Sequence, residues 1–397
     1  MAHDQQSGAP DGPELWDEAD IATPVQLLAP DGTRADHPVY GPIAADLTED
    51  QLRGMYRSMV ITRAVDATGT TLQRQGELSL WAPSLGQEGG QVGSATAIGQ
   101  RDMIFPSYRE HAVAHLRGLP MRELFPVMRG TTHGGWDPRA HGFHTYTFVL
   151  AAQMPHAAGY AMAVQRDGDV GTGDPDRDRA VVAYIGDGAM SEGDANETLI
   201  FAASAQTPLV VFCQNNQWAI SVPVHTQSRV PIARRAGGVG MPAVRVDGND
   251  PLASYAVTAR ALEHARAGRG PVFIEAVTYR LGAHTTSDDP TRYRTAEEED
   301  SWRTRDPIDR MRTHLLGTGV LDQAFVDEVE AEARAESDDI RGYVRGLPPG
   351  PLSEVFDDVY VLPHQQVDTD RAAMATYQAG FLDADAGPGS ATAKGAH

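Results

Sequence analysis

The chain reads as an α/β protein built on a doubly wound, mainly parallel sheet, and two observations predict this. The apolar runs at 181–185 and 209–213 are continuous rather than alternating, as strands covered on both faces are. Between them lies one helix-length apolar-periodic stretch, which is the strand–helix–strand order of a parallel βαβ unit. Ligands in such sheets sit at the carboxyl ends of the strands, so the residues that end these runs are the place to look for chemistry.

The elements follow in order. Residues 1–40 are polar and acidic, with Pro and Gly, and are expected to form a flexible arm. A single α/β domain is expected over 41–375. Thr48 and Gln51 have the spacing of a capping box opening a helix through Thr62. VQRDGDVGTGDPDRDRA, residues 164–180, is punctuated like a surface loop. Val181, Val182, Tyr184 and Ile185 then form a buried strand. Gly186 and Gly188 permit a tight turn and close approach of a ligand to the backbone. Ser191 with Asp194 is expected to cap a helix carrying Ala195, Leu199, Ile200 and Ala203, which Gln206, Thr207 and Pro208 end. Leu209 to Cys213 form the next strand. A further strand ends at Arg245 and Val246, before Asn249-Asp250-Pro251, where Pro suits a first helical position. PVFIEAVTY, 271–279, is another strand, and Leu315–Tyr343 reads as a charged outer helix. Residues 376–397 read as a low-complexity, disordered tail.

Composition narrows the function. A hydrophobic fraction of 41% in 397 residues is ample for a large core. No apolar run reaches the 18 residues of a membrane span, and the acidic N-terminus lacks an apolar signal core. A net charge of −21 argues against nucleic acid, which calls for a basic patch. The only cysteine, Cys213, falls inside a buried strand, where it serves as a small hydrophobe. One cysteine allows no internal disulfide, in keeping with a reducing, cytoplasmic setting.

The chemistry concentrates between Val181 and Ser221. One apolar run ends in Gly186-Asp187-Gly188, the next in Asn215-Asn216, with 26 residues between Gly188 and Asn215. A carboxylate and an amide are thereby placed at the ends of neighbouring strands. Both are hard oxygen ligands suited to Mg²⁺, which takes about six oxygens and tolerates phosphate and water among them. Asp187 and Asn216 supply two, and the main-chain carbonyl of Trp218 is the expected third. A Gly-Asp-Gly alone is an ordinary turn, as is Asn-Asn; their joint occurrence at consecutive strand ends points to a metal–diphosphate site. The chain lacks the G-x-G-x-x-G of dinucleotide folds and the P-loop. A two-metal phosphohydrolase would require further clustered carboxylates or histidines.

This pairing resembles the thiamine-diphosphate motif of the transketolase-like fold. More closely, SEGDANETLIFAA, FCQNNQWAIS and YRLGAHTTSDDPTRYR resemble the alpha subunit of the decarboxylating component of 2-oxo acid dehydrogenase complexes, the branched-chain (2-oxoisovalerate) type first and the pyruvate type second. The similarity runs from about Leu47 to about Tyr360. It implies thiamine diphosphate and Mg²⁺ as cofactors, decarboxylation of a branched-chain 2-oxo acid, and acyl transfer to the lipoyl group of a partner acyltransferase; pyruvate or acetoin are the alternatives. It also implies a separate beta subunit carrying the carboxylate that activates the aminopyrimidine, in a heterotetramer of two alpha and two beta chains, with this chain as half of the catalytic site.

The resemblance carries roles onto particular residues. Tyr108 and Arg109, in FPSYREH, contact the diphosphate, and a guanidinium fork suits phosphate oxygens. Arg280 matches a position near the same group. His284 faces the reactive end of the cofactor, where it binds the substrate carboxylate or manages protons. Leu150 packs against the aminopyrimidine. Gly186, Gly188, Ala189, Trp218 and Ile220 complete the cofactor contacts. Gln153 matches a position near a structural potassium site, and Trp81 an aromatic position lining the substrate pocket. Thr285 and Ser287 lie where mitochondrial relatives are regulated by phosphorylation. Two departures stand out: Gln214 replaces an arginine that reaches the diphosphate in branched-chain relatives, and HTYTF precedes Leu150 in place of a serine-proline run.

Overall fold

The computed structural model describes residues 18–385, apart from positions 133, 349, 351 and 358. Five strands form one parallel sheet: β1 (Met103–Phe105), β2 (Val181–Gly186), β3 (Leu209–Asn215), β4 (Ala243–Asp247) and β5 (Val272–Val277), in the spatial order β1-β2-β3-β5-β4. The strands expected at 181–185 and 209–213 are present with one or two extra residues, and the run 271–279 contributes β5.

Alternate residues of each strand enter two separate cores. Val182, Tyr184, Val210, Phe212 and Ile274 face one cluster. Val181, Ala183, Ile185, Val211 and Phe273 face the other. Coverage on both sides is what makes these strands continuously apolar. On the first face lie α1 (Glu49–Arg74), α2 (Glu88–Ala97) and α5 (Pro251–Arg266); on the second lie α3 (Gln153–Arg166) and α4 (Gly193–Ala205). Cys213 is fully buried in the second core, and burial pushes its thiol well above the ordinary range.

The capping box at Thr48 and Gln51 is formed in both directions, but α1 continues past Thr62 to Arg74 because Val65 and Leu72 keep its buried stripe going. Ser191 does not cap α4. A short 3₁₀ turn, Ala189–Ser191, intervenes; Glu192 takes the N-cap position without a side-chain bond, and Ser191 donates to Gln227 instead. α4 ends at Gln206 in the left-handed conformation. Asp250 caps α5 through Leu252 N and Ala253 N.

The expected 1–40 arm is ordered from residue 18. The second carboxylate oxygen of Asp250 accepts the N–H groups of Leu27 and Leu28 at 2.7 and 2.6 Å, and both leucines are fully buried. The rest of the arm, residues 1–17, lies outside the described residues. The charged stretch expected as one outer helix over 315–343 is divided by left-handed Gly319, and its second part, α6 (Gln323–Gly346), buries Val326, Val329, Ile340 and Val344 in the first core. The chain divides into two units, 1–346 and 347–397. The second contains α7 (Gln365–Asp385), which carries helix through the expected tail boundary at 376; residues beyond 385 lie outside the described residues. Among the described residues no helix is long and apolar enough to cross a membrane.

Candidate active site

The carboxyl ends of β2 and β3 open into a pocket of about 840 Å³ of empty space, mouth included. Of the residues singled out by sequence, Tyr108, Arg109, Leu150, Gly186, Asp187, Gly188, Ala189, Asn216, Trp218, Ile220 and His284 all line it. The parallel register explains the central pair: Gly186 sits beside Gln214 on adjacent strands, so Asp187 and Asn216 leave the sheet at the same edge.

Asp187 is 3% exposed, and its Oδ2 is buried without a hydrogen bond from any described residue. Burial raises its pKa to about 6, against the lowering pull of the Asp187 and Asn216 backbone N–H groups and of the Arg280 charge, with Glu275 adding a little to the rise. A buried carboxylate oxygen without a partner is costly, and a divalent cation is the partner that suits it. Gly188 is required by close approach: a Cβ there would lie 2.6 Å from Ala219 Cβ. Asn216 donates from Nδ2 to Gln87 Oε1 at 3.2 Å, while its Oδ1 accepts Trp218 N at 3.3 Å. Among the described residues no group of three or more His, Cys, Asp or Glu is placed to hold a metal.

Backbone strain gathers here. Of the four described non-glycine residues with positive φ, Ala151 (64°), Gln217 (73°) and Ile220 (54°) lie on or beside the pocket. For a β-branched residue such as Ile220 this conformation is a true outlier, and such strain clusters at functional sites.

Arg280 departs from expectation. It is fully buried and does not line the pocket. Its guanidinium donates to the carbonyls of Trp218 (3.1 Å) and Ile220 (2.8 Å) and to Tyr293 Oη (2.8 Å). It therefore braces the strained turn that carries the pocket residues. Trp81 also departs: it is fully buried, donates to Asp66 Oδ1 at 2.9 Å and stacks between His111 and Phe125, so it supports the wall behind the pocket. Gln153 does line the pocket; its Nε2 donates to Tyr184 O at 2.7 Å and its Oε1 is buried without a described partner.

Arg109 and His284 are locked together. Arg109 donates to Pro83 O, to His284 O at 2.9 Å and to His284 Nδ1 at 3.4 Å. Because a guanidinium only donates, Nδ1 accepts and the ring proton resides on Nε2. Burial, with the Arg109 and Arg280 charges, pushes His284 down to about 3, so the imidazole is neutral at pH 7. Asp288 holds the loop by accepting His284 N at 2.8 Å and the Tyr293 hydroxyl. Ser287 is exposed on this loop and Thr285 is half-buried.

Gln87, Ser107, Glu110 and Gln214 also line the pocket, and of these the sequence singles out only Gln214. Gln214 is tied into the wall: it donates to Glu110 Oε1 and accepts from Gln91 Nε2 at 3.0 Å. Burial raises the Glu110 carboxyl. The one signal for Glu110 was its place directly after Tyr108-Arg109.

Comparison with known proteins agrees with this geometry. The family described as "Dehydrogenase E1 component" matches residues 56–341. The chain belongs to this family. It is 48% identical over 338 residues, 85% of this chain and 89% of the relative, to the 3-methyl-2-oxobutanoate dehydrogenase subunit alpha of Mycobacterium tuberculosis (strain ATCC 25618 / H37Rv). It is 38% identical to the pyruvate dehydrogenase E1 component subunit alpha of Staphylococcus aureus (strain N315) over 296 residues, 74% of this chain and 78% of that one. The Bacillus subtilis (strain 168) counterpart is 38% identical over 293 residues, 73% and 77%. The family is thiamine-diphosphate-dependent, and its fold is the transketolase-like one expected from the strand-end motif.

Proposed function

We propose that this chain is the alpha subunit of the decarboxylating component of a branched-chain 2-oxo acid dehydrogenase, binding thiamine diphosphate through Mg²⁺ and completed by a beta subunit in a two-alpha, two-beta assembly. The single observation that carries the reading is the orphaned Oδ2 of buried Asp187 at the pocket edge, beside the polar end of the adjacent strand. Asp187, Asn216 and the Trp218 carbonyl would hold the metal, and Arg109 with Tyr108 the diphosphate. When bound, the cofactor supplies an electron sink for loss of CO₂ from a 2-oxo acid.

The chain's own residues do the rest. Neutral His284 presents Nε2–H, a donor for the substrate carboxylate that adds no charge of its own. Arg280 keeps the Trp218–Ile220 turn in its strained form. Leu150 and Ile220 line the mouth while remaining 44% and 54% exposed, next to Phe148 and Val149 at 45% and 71%. An apolar rim suits a branched aliphatic substrate and a covering partner. The acyl group passes to the lipoyl arm of an acyltransferase.

The test is decarboxylation by the chain copurified with its beta subunit, with thiamine diphosphate, Mg²⁺ and an artificial electron acceptor. 2-Oxoisovalerate should exceed pyruvate in kcat/KM by roughly 10–200-fold, the range that small apolar groups allow. A preference for pyruvate would move the chain to the other branch of the family, and full activity without a beta subunit would contradict the shared site.

A further inference from the structure

β5 reads VFIEAV, and Glu275 is the one charged residue in it, 1% exposed in the middle of a sheet covered on both faces. A carboxyl there is unfavourable unless its oxygens are bonded, and an aliphatic residue would pack as well. The two oxygens point to two different elements. Oε2 accepts Ala233 N at 2.9 Å, at the start of the short helix Ala233–Gly237, with Arg245 Nε 3.4 Å away. Oε1 accepts Asn215 Nδ2 at 2.7 Å.

The second bond leads to the pocket. With Nδ2 bound to Glu275, Asn215 turns its Oδ1 to Gln217, accepting both Gln217 N and Gln217 Nε2 at 3.2 Å, and Gln217 Nε2 also reaches Asn215 O at 3.2 Å. Gln217 is held at φ 73°, a conformation that residues other than glycine seldom adopt. It is the link between Asn216 and Trp218, both of which line the pocket. We propose that Glu275 is a positioning residue for the cation turn, acting through Asn215 and Gln217 to fix the Asn216 amide and the Trp218 carbonyl beside Asp187. The inference rests on the Mg²⁺ reading above and names the residue that supports it from outside the pocket. Groups that orient metal ligands in this way, when changed, typically weaken the metal 10–100-fold.

The test uses the full chain in complex with its beta subunit. The readouts are the Mg²⁺ concentration giving half-maximal thiamine diphosphate binding in equilibrium dialysis, and Tm without either ligand. Glu275→Gln should raise the half-saturating Mg²⁺ by about 10–100-fold. Asn215→Ser should do the same, and the double variant should lose no more than either alone, since both act on one path. An unchanged Mg²⁺ requirement with a lowered Tm would reduce Glu275 to a structural brace and overturn the proposal, as would multiplicative losses in the double variant. Should Glu275→Gln fail to fold, Gln217→Ala at the half-buried rim carries the test: the same rise is expected, and no rise overturns the proposal. Asp187→Ala separates the two readings. If it abolishes Mg²⁺-dependent thiamine diphosphate binding while Glu275→Gln leaves the half-saturating Mg²⁺ unshifted, only the positioning role falls; if the unaltered complex binds thiamine diphosphate without any Mg²⁺ dependence, the cation reading falls and this one with it.

Discussion

Two buried aspartates show how a structural carboxyl differs from a functional one. Asp66, in α1, is 4% exposed and raised to about 6 by burial; Asp187, after β2, is 3% exposed and raised to about 6 for the same reason. By burial and pKa the two are indistinguishable. Their partners differ. Asp66 Oδ1 accepts Trp81 Nε1 at 2.9 Å and Ser84 N at 3.0 Å, whereas Asp187 keeps a buried oxygen with no described donor. The first knits the wall behind the pocket. The second sits among glycines and left-handed residues at an opening. A perturbed pKa locates a buried acid, and the unsatisfied oxygen tells which one awaits a ligand.

The comparison can be broken by exchanging the insults. The largest effect should come from Asp187→Ala, which is expected to weaken Mg²⁺-dependent cofactor binding by more than about 100-fold, beyond the range of outer-shell groups, while apo Tm holds or rises because a costly buried oxygen is gone. Calorimetric titration and a thermal melt check both halves. Asp66→Ala should do the reverse. It orphans two buried donors at about 1–3 kcal/mol each, so urea unfolding should show a loss of roughly 2–6 kcal/mol. Equal stability losses in the two variants would break the contrast.

Gly188→Ala sharpens it at the backbone. The new methyl would meet Ala219 Cβ at 2.6 Å and displace the Trp218–Pro223 hairpin, so kcat in the reconstituted complex should fall roughly 10–100-fold, as small misplacements allow, with little change in fold stability. The smallest effect concerns His284. Its folded pKa, about 3, lies below the ordinary histidine value near 6.5. The unfolded chain therefore gains the proton first, and the stability tied to the neutral ring is present above about 6.5 and is lost as pH falls from there toward 3. Urea midpoints of the unaltered chain and His284→Gln should diverge at pH 7 and converge toward pH 4, and the His284 Cε1–H NMR signal should stay flat between pH 5 and 8.

What was legible in the sequence follows the reach of each interaction. Asp187 and Asn216 stood out because strand, turn and strand are local, and their parallel register brings them to one edge without further information. Tyr108, Arg109 and His284 came from the family resemblance, and the fold does place them at that edge. Glu110, Gln87 and Glu275 did not stand out, because their partners Gln214, Asn216 and Asn215 lie 104, 129 and 60 residues away. Arg280 also came from the resemblance, as a position near the diphosphate; the structure turns its guanidinium onto two carbonyls of the strained turn, contacts that sequence does not display. Trp81, matched by the same resemblance, is buried and bonds Asp66. The helix cap at Ser191 gave way to a 3₁₀ turn whose serine finds Gln227, a tertiary partner that local spacing does not contain.

The central claim is that the orphaned Asp187 oxygen is a cation ligand for a bound diphosphate. Its most direct test is thiamine diphosphate binding to the full complex, measured with and without Mg²⁺, for the unaltered chain and for Asp187→Asn. The account predicts Mg²⁺-dependent binding that the amide variant loses while keeping its fold. Binding of equal strength in the variant, or in the absence of any divalent cation, would contradict it.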